Sequence, residues 1–132
     1  MVLDTSAVIA ILQVEPAATR LSLAIHTVAA SSRRMSAASV VEAGIIVQRR
    51  FGDAGERDLD ALLRELGVEV VPLTAAHAEI ARSAFRRFGK GRHPARLNFG
   101  DCFSYALARA LGEPLLFVGD DFARTDIAAV SY

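Results

Sequence analysis

An apolar pair, Val2–Leu3, stands at the start of the chain, followed by Asp4 and then by a run in which Ala7 to Leu12 are all apolar. The pair reads as the end of a short buried strand, and Thr5–Leu12 as a helix. After Glu15–Pro16 a second helix is expected over Ala17–Ala29, since proline suits a first helical position. Arg33–Ser36 is a weak short strand. Ser39 precedes "VVEAGIIVQRRFG", whose length and terminal Gly52 predict a helix, and Gly55–Leu66 has the pattern of another amphipathic one. The valine-rich "GVEVVPL" from Gly67, stopped by Pro72, reads as a strand. Thr74 then opens a helix to about Phe88 with Ile80, Ala84 and Phe85 on one face.

"GKGRHPAR", Gly89–Arg96, has no apolar period and reads as a loop. Asn98 can cap the following helix, in which Phe99, Cys102, Phe103, Ala106 and Ala110 recur at helical spacing and Gly112 is the stop. "PLLFVG" is a buried strand and "DDFART" a turn or short helix. "DIAAVS" is open to a last strand. Strands alternating with helices imply an α/β fold with a mostly parallel sheet covered on both faces. A length of 132 residues suits one domain, 1–132, with a proper core and no staples.

Composition narrows the chemistry. Fifteen basic and fifteen acidic residues cancel, so any contact with nucleic acid must come from a local patch. Lys90, Arg92, His93 and Arg96 form the one patch that stands out, and solvation alone would also account for it. All basic residues except Lys90 are arginine, which disfavours a Schiff-base or P-loop lysine. One cysteine and three histidines make neither a disulfide framework nor a zinc-ligand spacing. With no secretory signal and no apolar stretch long enough to span a bilayer, a cytoplasmic protein is expected. Apolar residues make up 52% of the chain, more than one small core needs to hide, which makes an oligomer plausible.

The acids carry the functional reading. In open α/β sheets ligands bind outside the carboxyl ends of the strands. Asp4 lies at such an end, and Asp120 and Asp121 share that edge if their strand runs parallel to the first. Glu42 interrupts an apolar stretch, where it needs a partner or a proton. Taken singly, each has an ordinary explanation: Asp4 as a helix cap, Glu42 as a partly exposed glutamate or one paired with Arg34 or Arg49, Asp101 on a helix dipole, Asp120–Asp121 as an acidic turn. Gathered at one edge, they would repel one another unless a cation intervened. Oxygen ligands without histidine or cysteine suit Mg²⁺ or Mn²⁺, and that chemistry is phosphate-ester hydrolysis by activated water.

Four segments bring this pattern to a known family: "MVLDTSAVIAIL", "SAASVVEAGIIVQRRFG", "GKGRHPARLNFGDCFSYALA" and "PLLFVGDDFARTDI". They carry a resemblance that runs over essentially the entire chain: the sequence resembles a PIN-domain ribonuclease of the VapC toxin type. The resemblance implies a three-layer α/β/α fold, Mg²⁺-dependent endoribonuclease activity with Mn²⁺ able to substitute, and membership of a type II toxin–antitoxin pair. Asp4, Glu42 and Asp101 fall on the family's acidic positions, with Asp4 and Asp101 as metal ligands. Gly119 stands where many PIN domains carry a further acid, so Asp121 is preferred as the fourth, with Asp120 and Asp126 as candidates. Thr5 and Ser6 match the small hydroxyl residues that hold the first acid or a water. Implied partners are a VapB-type antitoxin, a structured RNA such as tRNA or rRNA met by the basic loop, and a second copy of the chain. The alternative is a catalytically inactive PIN-like RNA- or protein-interaction module. An aspartyl phosphatase would need a second acid where Ser6 stands, and a receiver domain a lysine after a later strand.

Overall fold

The computed structural model describes residues 1–132. Its order is β1 (Val2–Leu3), α1 (Thr5–Leu12), α2 (Ala18–His26), β2 (Arg34–Ser36), α3 (Ala37–Glu65), β3 (Glu69–Val71), α4 (Ala75–Phe88), α5 (Asp101–Leu111) and β4 (Leu115–Leu116). Single 3₁₀ turns lie at Ala30–Ser32 and Phe122–Arg124. The four strands form one parallel sheet in the order β3-β2-β1-β4. The alternation of strand residues sets the layers. Leu3, Met35 and Leu116 point into a core shared with α1, α2 and α3, and Val2, Leu115 and Phe117 into one shared with α4 and α5. Each such fully buried side chain contributes roughly 1.5–3 kcal/mol. The result is the three-layer α/β/α arrangement expected, and no helix is long and apolar enough to cross a membrane.

Two boundaries differ from the sequence reading. "DIAAVS" makes only a single parallel bridge, Leu115 to Ala129, because Ser131 and its neighbours run out along the surface instead of down the edge of β4. Pro16 precedes α2, whose cap is Ala17. The two helices expected on either side of Gly52 are present as the two halves of α3: Gly52 has φ 62° and ψ −153°, a conformation only glycine takes readily, and kinks the axis between them. That kink lets Ala43 and Val47 before it, and Leu59 and Leu63 after it, enter the same core. Thr74 caps α4 as expected, in a reciprocal pair with His77.

Connectivity places the acids. β1 leads to β2 on one side while β4 joins β1 on the other, so the crevice between the carboxyl ends of β1 and β4 is a topological switch point. Asp4 directly follows β1, α3 starts from the carboxyl end of β2, and Asp121 lies just past β4. Helix α5 feeds the beginning of β4, so it runs against the strands and brings its own amino end, Asp101, to that same edge.

Candidate metal centre

Asp4 caps α1 and still keeps an oxygen free. Its Oδ2 accepts the Ser6 N–H (2.9 Å) and the Ser6 hydroxyl (2.6 Å), while its Oδ1 is buried with no partner. Asp4 is 3% exposed, and a buried carboxylate oxygen left unpaired costs about 1–3 kcal/mol. Ser6 in turn accepts the Val118 N–H (3.0 Å), so one hydroxyl links the end of β4 to the acid after β1. Capping therefore explains Oδ2 and leaves Oδ1 unexplained.

Thr5 holds a different acid from the one expected. Its hydroxyl donates to Glu42 Oε2 (2.7 Å) and not to Asp4. Glu42 makes no ion pair: Arg34 is engaged with Glu69 (3.0 Å) and Glu113 where β2 begins, and Arg49 pairs with no acid. Both local partners considered for Glu42 are thus ruled out. Beneath it, Ser39 and Ser104, each fully buried, share a hydrogen bond of 3.1 Å that ties α3 to α5.

Asn98 and Asp101 cap each other's ends of the turn that opens α5. Asn98 Oδ1 accepts the Asp101 N–H (3.0 Å), and Asp101 Oδ2 accepts the Asn98 N–H (2.7 Å). Burial pushes the Asp101 carboxyl up to about 7, against the lowering effect of the Asn98 N–H and with further upward pressure from Asp4, Asp121 and Glu42. The four acids therefore act on one another electrostatically at this edge. Asp121 is exposed at the start of the 3₁₀ turn, whose Phe122 is buried against Phe117 with ring centres 5.0 Å apart. Asp120 is also exposed. Asp126 lies elsewhere: it accepts the Tyr105 hydroxyl (2.6 Å) and pairs with Arg87 (3.0 Å), bonds that hold its carboxyl below the usual range. It is removed from the candidates for the fourth acid.

The donor set fits a small hard cation. It offers one buried orphan oxygen and neighbouring carboxylates, with no histidine or thiolate among them. No three such side chains converge on one point, so an ion held here would take one or two carboxylates and complete its shell with water. The nearby Cys102 donates its thiol to the Asn98 carbonyl (3.1 Å), and burial pushes it up to about 11. It is no nucleophile.

Two concave surfaces stand out. Lys90, Arg92, His93 and Arg96, with Gly91 and Pro94, line an open concavity of about 480 Å³. The loop is anchored by buried Ala95 and Leu97, and the Ala95 N–H donates to His93 Nδ1 (3.1 Å) with the ring edge-on to Phe88. Neutral His93 therefore carries its proton on Nε2. Around Glu42, Val41, Ile45, Arg49 and Phe99 line a groove of about 310 Å³. Phe99 was read as part of a helical apolar stripe, yet it is 79% exposed, packed only edge-on against Phe103.

Residues 1–128 match the family described as the PIN domain. Ribonuclease VapC30 of Mycobacterium tuberculosis is 50% identical over 131 residues, covering 99% of this chain and 98% of that one. Ribonuclease VapC of Mycolicibacterium smegmatis is 52% identical over 130 residues, covering 98% and 99%. Among solved structures, Mycobacterium tuberculosis VapC20, titled a Sarcin-Ricin loop cleaving toxin, superposes with a TM-score of 0.79 at 19% identity over 98% of this chain and 97% of that one. FitAcB from Neisseria gonorrhoeae gives 0.68 at 20% identity, covering 98% and 96%. These two likenesses speak for the fold alone. The chain belongs to the PIN-domain family and, within it, to the VapC ribonucleases. It is an endoribonuclease, and the reading as a noncatalytic interaction module finds no support among these relatives.

Proposed function

We propose that this ribonuclease is the toxin of a type II toxin–antitoxin pair and hydrolyses RNA phosphodiester bonds with Mg²⁺, or Mn²⁺ in its place, held by Asp4 and Asp101. The observation that carries the reading is the buried, unpartnered Oδ1 of Asp4, facing an edge where Asp101 feels Glu42 and Asp121. The chemistry such an ion supplies when bound is Lewis-acid activation of water and relief of charge on the phosphate. The chain's own part is to fix and tune. Ser6 holds Asp4 through Oδ2 and leaves Oδ1 unpaired, Thr5 holds Glu42, and Glu42 with Asp121 orients water by accepting hydrogen bonds from it.

Lys90, Arg92, His93 and Arg96 contact phosphates, His93 through its Nε2–H. Unpaired loops of a structured RNA such as tRNA or rRNA suit this site, since their bases can splay away from the cleaved strand. A VapB-type antitoxin is the inhibitory partner, its arginine entering among Asp4, Glu42 and Asp101 while an apolar face covers exposed groups such as Val41, Ile45 and Phe99. The free toxin is a cytoplasmic homodimer.

Sequencing of RNA ends after pulsed expression, beside the same experiment with Asp4→Asn, tests the activity. Metal-dependent ends confined to the parent are expected, and identical ends in both overturn the assignment. Light scattering of the free chain and of the chain co-expressed with the antitoxin tests assembly, where a monomeric toxin or a fully active complex would refute that part.

A further inference from the structure

We infer that Gly100 is a positioning residue: its missing side chain creates the seat on which the Glu42 carboxylate lies beside Asp101. The backbone at Gly100 has φ −64° and ψ −45°, ordinary right-handed helical values open to any residue. Backbone geometry therefore does not require glycine there. The space does. A Cβ at position 100 would stand 2.0 Å from Glu42 Oε1, 2.4 Å from its Cδ and 2.5 Å from Oε2, distances no real Cβ tolerates.

Every one of those atoms is the far end of a flexible side chain, so the fold can accept alanine by moving Glu42. Helix α5 cannot give way instead, because Cys102 and Ser104 to Ala108 are buried immediately behind it. One of those same oxygens, Oε2, accepts the Thr5 hydroxyl at 2.7 Å. Gly100 and Thr5 thus define the position of Glu42 together, one by leaving room and one by donating a hydrogen bond. Gly100 is also covalently next to Asp101, so the seat and the second acid move as one piece.

The inference rests on the proposed role of Glu42, and a double-mutant cycle separates the two. Gly100→Ala is compared in the parent and in Glu42→Ala, with Mn²⁺ affinity, single-turnover RNA cleavage and the metal-free melting temperature as readouts. In the parent, Gly100→Ala is expected to weaken Mn²⁺ binding and slow cleavage by about tenfold or more, the size typical of a lost supporting contact, with the melting temperature unchanged or raised. In the Glu42→Ala background the same substitution changes neither Mn²⁺ affinity nor cleavage. No loss in the parent, equal losses in both backgrounds, or a lower metal-free melting temperature in the Glu42→Ala background each overturn the inference alone. If Glu42→Ala itself binds Mn²⁺ and cleaves RNA like the parent, the role of Glu42 falls and the inference falls with it.

Discussion

Thr5 donates its hydroxyl to Glu42 Oε2 at 2.7 Å, joining the first turn of α1 to an acid of α3 that lies 37 residues further along the chain. The bond fixes one oxygen of a half-buried carboxylate that has no cation beside it. Thr5→Val keeps the shape and removes the donor. Cleavage is expected to slow by about tenfold, whereas Thr5→Ser keeps most of the rate. A Thr5→Val enzyme as fast as the parent in single-turnover assays would show that the bond only supports packing.

Removing charge at constant volume separates ligand from scaffold. Asp4→Asn and Asp101→Asn should each abolish cleavage and weaken Mn²⁺ binding, while circular dichroism stays that of the parent. Glu42→Gln should slow cleavage, yet raise the melting temperature in chelator, since glutamine still accepts from Thr5 and no longer repels Asp101. A clear fall in that temperature would contradict the placement of Glu42 among uncompensated acids.

The Asp101 carboxyl, lifted from 3.8 to about 7, gives the metal-free chain a distinctive pH response. The folded state holds a proton that the unfolded state has lost, so the favourable contribution is complete below about pH 4 and disappears as pH rises through 7. Asp126 has the opposite sign, but its held-down carboxyl is fully ionised above pH 5 and leaves that window to Asp101. In chelator, the melting temperature should fall from pH 5 to pH 8 more steeply in the parent than in Asp101→Asn. Binding of Mn²⁺ should release a proton at pH 6 and none at pH 8, measured by calorimetry in buffers of different ionisation heat.

The basic loop allows charge to be removed without disturbing the backbone. Arg96 sits at φ 57°, which glycine adopts more easily than arginine, so Arg96→Gly should keep the fold while deleting a cation. Together with Arg92→Ala it should weaken RNA binding and reduce the slope of log affinity against log salt by about 0.7–0.9 per lost phosphate contact. Mn²⁺ affinity should stay constant. An unchanged slope would leave the loop outside the RNA interface.

Much of this site was legible because its parts are local. The strand–acid–helix junction at Asp4 and the Asn98 cap beside Asp101 each announce themselves within a few residues, and alternation of short strands with helices implied the parallel sheet. What stayed hidden depends on distant partners. Asp126 could be set aside only when Tyr105 and Arg87 were found on it, and Thr5 proved to serve Glu42 because α1 and α3 pack side by side. Gly100 carried no signal of its own, since the carboxylate it makes room for belongs to α3, far away in the sequence. The exposure of Phe99 was likewise unreadable, since periodicity marks a stripe and does not say where along its length the core ends.

Ser6 also bears on which ion the site would prefer. Because its N–H and hydroxyl both occupy Asp4 Oδ2, the acid can offer an incoming cation only Oδ1. A carboxylate restricted to one oxygen suits the octahedral shell of Mg²⁺ or Mn²⁺, and it withholds the two-oxygen grip that larger Ca²⁺ often uses to fill its six to eight positions. Discrimination against calcium would then be written not in the acids themselves but in the serine that occupies half of one of them.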